Sequence, residues 1–173
     1  MKVLLHTCCG PCASGCVPRL RELGHEVVLF FANSNIDTET EFSRRLAAAK
    51  RLADVDGVDI AVEPYDHASW LDEVAAGFED APEKGARCAR CFRYNLAKAA
   101  AYAAENGFDA FATSLTVSPH KPAALVFAAS GDARFLKEDF KKREGFKVSV
   151  RRAAELGLYR QDYCGCEFSR RRA

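Results

Sequence analysis

Short apolar runs alternate along this chain with longer stretches in which apolar residues recur every three or four positions. The runs fall at 2–7, 26–33, 58–62 and 108–113, with Val27-Val28-Leu29-Phe30-Phe31 inside the second. Runs of this length bounded by turn residues predict buried strands. A weaker run at 133–136 predicts a short fifth. Helical periodicity covers 13–23, 38–55, 69–78, 88–106, 122–130 and 149–156. Thr38 and Glu41 form a capping-box pattern at the head of the second stretch, whose apolar stripe is Phe42, Leu46, Ala49 and Ala53. Gly15 and Pro18 weaken the first helix.

Strands that alternate with helices predict an α/β fold, a parallel sheet flanked by helices on both faces and joined by right-handed crossovers. With strand order 3-2-1-4-5, the ends of the first and fourth strands meet where the order reverses. Ligands bind at such a crevice. The first strand ends at Thr7-Cys8-Cys9, the fourth at Thr113-Ser114-Leu115-Thr116.

The 173 residues suit one domain over 1–173, and about half are apolar, enough for a core. The apolar start is too short for a secretory signal, and no stretch is long and apolar enough to span a bilayer. The expectation is a cytoplasmic protein without membrane contact. A net charge of +1 gives no global nucleic-acid signature. The basic residues nevertheless gather near cysteines: Arg87, Arg90 and Arg93 in the middle, and Arg160 with Arg170, Arg171 and Arg172 near the end.

The eight cysteines change the picture, because they fall in groups. Cys8-Cys9-Gly10-Pro11-Cys12 follows the first strand, Cys88-Ala89-Arg90-Cys91 opens a helix, and Cys164-Gly165-Cys166 lies beyond the last helix. In the cytoplasm such groups bind metals or do redox chemistry more often than they form stable disulfides. Soft thiolates suit iron–sulfur clusters and zinc. The first group stands where a nucleotide-binding protein places a phosphate loop, and a helix N-terminus lowers a thiol pKa. Cys88 and Cys91, one turn apart, can face one site. Cys164 and Cys166 fit either metal ligands or an easily reduced disulfide. Cys16 reads as a core residue, as does each histidine, although His6 shares a strand face with Cys8. Asp162 and Tyr163 are candidates to supply or relay protons.

Taken in order, these motifs resemble those of the cobalamin-independent epoxyqueuosine reductases, the QueH family. The resemblance spans almost the whole chain. It rests on the Cys8–Cys12 group, Asn33-Ser34-Asn35-Ile36, Arg87-Cys88-Ala89-Arg90-Cys91-Phe92-Arg93 and Glu105-Asn106-Gly107-Phe108-Asp109. It continues through Thr113-Ser114-Leu115-Thr116-Val117-Ser118-Pro119-His120-Lys121, Glu138-Asp139-Phe140 and the segment from Gly157 to Cys166.

The resemblance implies an adenine-nucleotide-hydrolase-like (HUP, Rossmann-like) fold. It also implies reductive deoxygenation of epoxyqueuosine to queuosine at the wobble position of tRNA, a reaction that consumes two electrons and two protons. It makes Cys8, Cys9, Cys88 and Cys91 ligands of a [4Fe–4S] cluster. Asp replaces Cys at the position of Cys12 in some members of the family, which suits an additional Fe beside the cluster, with Cys9 as a shared ligand. Cys164 and Cys166 would close over the site as ligands or a redox pair. Ser114, Thr116, Ser118 and Lys121 would grip the substrate, with Arg90, Arg93 and Arg160 on the anticodon backbone. A low-potential donor of ferredoxin or flavodoxin type would supply the electrons.

Three other functions compete. A zinc-binding or nucleotide-binding regulatory module on the same fold would use two cysteine pairs and be colourless. A thiol–disulfide oxidoreductase would use Cys164 and Cys166 alone. An ATP-dependent tRNA-thiolating enzyme would need a Ser-Gly-Gly-x-Asp-Ser loop after the first strand, where this chain has Cys-Cys-Gly-Pro-Cys.

Overall fold

The computed structural model describes residues 1–170, so Arg171 and Arg172 lie outside the described residues. Four parallel strands, β1 (Lys2–His6), β2 (Glu26–Phe31), β3 (Ile60–Val62) and β4 (Ala110–Thr113), form one sheet in the order β3-β2-β1-β4. Helices α1 (Gly10–Glu22), α2 (Glu39–Asp56), α3 (His67–Trp70), α4 (Ala86–Glu105), α5 (Ala123–Ala128) and α6 (Gly145–Glu155) surround it. A π-helical turn, Leu71–Ala75, continues α3, and single 3₁₀ turns occupy Ser114–Val117 and Glu167–Ser169.

Alternation along β1 divides the core. Val3 and Leu5 pack with Val17 and Leu20 of α1, Leu52 of α2 and Ala153 of α6. Leu4 packs on the other face with Leu96, Ala99 and Ala103 of α4 and with Phe30 and Phe111. Burial on both faces is the reason these strands read as continuous apolar runs.

The expected fifth strand is corrected. The 133–136 run touches β4 through one parallel bridge, Phe111 to Phe135, and the described residues form a sheet of four strands. A local turn limits the pairing: the Asp132 carboxylate accepts the Arg134 N–H at 2.8 Å. Just after it, the Glu138 N–H turns back to the Leu136 carbonyl at 2.9 Å.

Two helices, α1 and α6, begin three and four residues earlier than their periodicity predicts. α1 starts at Gly10 because the Cys9 side chain caps it, its Sγ accepting the Cys12 N–H at 3.3 Å. Pro11 sits in the first turn, where no N–H is needed. α6 starts at Gly145 and packs along α1, with Ser14 Oγ donating to the Ser149 carbonyl at 3.1 Å. Only half of the capping box forms. Thr38 Oγ1 accepts the Glu41 N–H at 3.2 Å, while the Glu41 carboxylate turns to Arg45.

Candidate metal and redox site

The register pairs His6 with Phe30 on one side and Thr113 on the other, so β1 and β4 end side by side at the reversal of strand order. There the Cys8 N–H donates to Ser114 Oγ at 3.0 Å, and Ser114 Oγ–H donates to Cys8 Sγ at 3.2 Å. Gly10 permits the loop its path. A Cβ on it would come within 2.8 Å of the Ala48 carbonyl carbon and oxygen on α2.

The sulfurs of Cys8, Cys9 and Cys12 lie within 4.8 Å of one another, a group that can hold a metal. Their mutual hydrogen bonds concentrate negative charge on Cys8. Donation from Cys12 and Cys9, aided by Lys121 and Ser114, takes the Cys8 thiol well below its usual pKa against the effect of burial. Hydrogen bonding to Cys8, reinforced by burial, drives Cys12 well above the usual value. At Cys9 the contact with Cys12 acts downward, but hydrogen bonding to Cys8, burial and the Cys8 charge push the thiol up to about 12. A metal cation would replace the protons that now hold these thiols together.

A second group lines one cleft: Cys88 and Cys91 from the first turns of α4, Cys164 and Cys166 from the C-terminal segment, and Lys121, with Trp70 and Asn35. Burial, with the charges of neighbouring cysteines, raises the Cys91 thiol. Burial likewise raises Cys166. Lys121 joins the two groups. Burial disfavours its ammonium, yet Cys164, Cys8, Cys12 and Cys9 outweigh that cost and raise its pKa. Lys121 thus feels the charges of Cys8, Cys9, Cys12 and Cys164 and lines the cleft that it shares with Cys88, Cys91, Cys164 and Cys166.

The family model for "Epoxyqueuosine reductase QueH" matches residues 3–172. The chain is 35% identical to the epoxyqueuosine reductase QueH of Streptococcus pyogenes serotype M1, over 96% of this chain and 69% of that protein. It is 34% identical to those of Acinetobacter baylyi, over 98% and 81%, and Dehalococcoides mccartyi, over 97% and 92%. The chain belongs to the epoxyqueuosine reductase QueH family.

In this QueH chain the C-terminal cysteines are held by residues far away in sequence. The buried Arg45 donates to the Cys164 carbonyl at 2.8 Å and the Tyr163 carbonyl at 3.1 Å. The Asp37 N–H donates to the Gly165 carbonyl at 2.9 Å. Tyr163 stacks between Arg45 and Arg170 and gives its hydroxyl proton to Asp37 at 2.7 Å. Burial and that hydrogen bond raise the phenol to about 12. Gln161 reaches the Cys9 thiol and favours its ionised form.

The remaining expected site residues separate. Thr116, expected to contact substrate, lies inside the fold. It is fully buried, with Oγ1 donating to the Glu138 carbonyl and accepting the Phe140 N–H. Arg90 is likewise committed to the fold. It bonds the carbonyls of Val74 and Glu73 and stacks on Phe78. Ser114 faces Cys8 rather than open space. Ser118 Oγ accepts the His120 N–H at 3.2 Å. Arg93, Arg160 and Asp162 are exposed. Cys16 is a core residue, its Sγ–H donating to the Cys12 carbonyl at 3.3 Å. No helix among the described residues is long and apolar enough to cross a membrane.

Sequence reasoning passed over Arg45, Asn35, Trp70, Asn95 and Gln161. Asn35 and Gln161 lie within motifs that carry the resemblance but are given no role there. The others carry no local signal, since an arginine or tryptophan inside helical periodicity reads as surface or core.

Proposed function

We propose that this chain reduces epoxyqueuosine to queuosine at the wobble position of tRNA, acting as one domain over 1–173 on an adenine-nucleotide-hydrolase-like fold. The observation that carries the reading is the meeting of two cysteine groups around Lys121 where strand order reverses. The relatives' common name supplies the substrate.

Cys8, Cys9, Cys88 and Cys91 would hold a [4Fe–4S] cluster, and Cys12, with Cys9, an additional Fe. These soft sulfur donors, Cys9 buried and the others half-buried, fit such groups. When bound, these groups supply single electrons and a Lewis acid for the epoxide oxygen. Overall, two electrons from a low-potential ferredoxin or flavodoxin and two protons remove that oxygen as water and leave the alkene.

The side chains divide the remaining work. Lys121, whose raised pKa keeps it an ammonium, would donate a hydrogen bond to the departing oxygen. Ser114 holds Cys8 at the end of β1. Cys164 and Cys166 would cover the reacting centre and keep water out. Tyr163 supports that loop instead of transferring a proton, because its hydroxyl is already committed to a hydrogen bond to Asp37. Asp162, in an open groove with Tyr159 and Arg44, remains the accessible acid of this segment. The half-buried Ser118 and the exposed Arg93 and Arg160 are polar contacts available to the anticodon. The reaction takes place in the cytoplasm, where tRNA is modified.

The test is purification without oxygen, with iron and sulfide analysis and turnover of tRNA carrying epoxyqueuosine. About four irons and four sulfides, with a band at about 400 nm bleached by dithionite, are expected. An extra iron lost in Cys12→Ala would mark the second site. Colourless protein with stoichiometric zinc, unable to take up iron and sulfide, would overturn the reading in favour of the zinc module.

A further inference from the structure

Cys91 differs from the other cysteines in what surrounds its sulfur. Trp70 is fully buried, lines the same cleft and packs with Cys91 and Cys166. Its indole N–H has no hydrogen-bond partner. Cys91 packs against this buried group, beside the unpartnered indole. Asn95, one helical turn after Cys91, is 2% exposed. Its Nδ2 lies 3.8 Å from Cys91 Sγ and 3.2 Å from Asn35 Oδ1. Asn35 fixes which way that amide points, and Asn95 Oδ1 is itself without a partner.

An inert thiol does not explain a buried amide N–H directed at one sulfur with an unpartnered buried indole packed beside it. A neutral S–H is a weak acceptor, and a buried indole N–H left without a strong partner costs about 1–3 kcal/mol. Sulfur that carries negative charge is a much better acceptor at such distances. The arrangement therefore suits a metal-bound thiolate. Hydrogen bonds to a ligand sulfur draw electron density from the centre, stabilise its reduced form and raise its reduction potential.

We propose that Trp70 and Asn95 are positioning residues that act through Cys91 to raise the reduction potential of the bound iron–sulfur cluster, so that the low-potential donor can refill it. This inference rests on the cluster assignment above. The other cluster candidates have different surroundings. Cys8 accepts from Ser114 and neighbouring thiols, and Cys88 accepts the Lys84 backbone N–H at 3.3 Å. Only the surroundings of Cys91 include a dry indole and an amide oriented by another amide.

The experiment uses the full chain, reconstituted with iron and sulfide, with the midpoint potential read by titration followed by electron paramagnetic resonance. Asn95→Leu keeps the shape and removes the donor. Trp70→Phe removes the N–H but leaves an aromatic ring. Each is expected to hold the same iron and sulfide as wild type and to show a midpoint shifted to lower potential. Unchanged midpoints with intact clusters would overturn the inference while leaving the cluster assignment standing. Wild type that takes up no iron and sulfide would overturn both. Where a variant fails to fold, wild-type protein containing ¹⁵N-indole tryptophan decides. Hyperfine coupling between that nitrogen and the reduced cluster supports the contact, and its absence overturns it.

Discussion

Glu41 Oε1 accepts the Arg45 Nε–H at 2.8 Å, and neither side chain has appreciable contact with solvent. The pair lies within α2, yet its free valences point away from the helix. Arg45 holds the carbonyls of Cys164 and Tyr163, and Glu41 accepts the Tyr159 hydroxyl at 2.9 Å. A buried ion pair thus fastens the cysteine-bearing C-terminal segment to the body of the fold.

Arg45→Ala should therefore damage stability and the site together. It leaves the Glu41 charge buried with Tyr159 as its remaining partner, a loss of about 3–5 kcal/mol when one member of such a pair is removed. Arg45→Lys keeps the charge but not the forked donors, and should recover only part. Urea unfolding measures the first effect. Faster alkylation of Cys166, which is 8% exposed in the docked loop, measures the second. Unaltered Cys166 protection in Arg45→Ala would mean that the segment is held by other contacts.

Gly165→Ala probes the same attachment from the other side. Gly165 has φ of +145°, and a Cβ there would meet Asn35 Nδ2 at 3.1 Å and Arg45 Nη1 at 3.4 Å. The backbone conformation alone should cost about 1–3 kcal/mol in a residue with a side chain. The expected result is a lower urea midpoint with early proteolytic cutting confined to the segment after Leu158. Stability equal to wild type would show that the loop can take another path.

The sequence made the sheet legible because strands buried on both faces are written as apolar runs, and the turn after β1 announces itself with Gly10 and Pro11. It made the cysteine groups legible because their spacing is local. What escaped depends on tertiary partners. Cys9 is an unusual helix cap, chosen by the geometry of its loop. The run around Phe135 has strand character but is cut short by the Asp132–Arg134 turn. Arg90 stands between two cysteines, as a substrate ligand would, and only the fold shows that Phe78 and two carbonyls consume it. Arg45 and Asn95 look like ordinary helix residues until segments about sixty or more positions away arrive beside them.

Ser114→Ala separates the chemistry of Cys8 from its packing. The hydroxyl both accepts the Cys8 N–H and donates to the sulfur, so its loss strands a backbone donor and should cost about 1–3 kcal/mol. It also removes one of the groups that lower the Cys8 pKa. In metal-free wild type, Cys8 should remain reactive toward iodoacetamide as pH falls below the ordinary thiol range, because the thiolate persists there. In Ser114→Ala the same reactivity should be lost at higher pH. Peptide mass spectrometry reads the site directly, and identical pH profiles would refute the assigned hydrogen bond.

Lys121 makes the sharpest demand on the proposed chemistry. Its ammonium is disfavoured by burial, but the neighbouring Cys164, Cys8, Cys12 and Cys9 outweigh that and raise its pKa, so it is protonated. Its hydrogen-bonded surroundings are mostly backbone: the Lys121 N–H donates to the Ser118 carbonyl, and its own carbonyl accepts Lys141 Nζ at 3.0 Å. Neither contact uses the side chain, so Lys121→Gln should leave the loop folded. If the ammonium donates to the departing oxygen, cluster-loaded Lys121→Gln should reduce epoxyqueuosine in tRNA about 10²-fold or more slowly in single turnover, the scale of a lost proton donor. Lys121→Arg, which keeps a cation but fixes its donors in a plane, should fall between the two. Equal rates in Lys121→Gln and wild type, with equal iron and sulfide, would assign the lysine to charge balance alone and move the donor role to Asp162 or solvent.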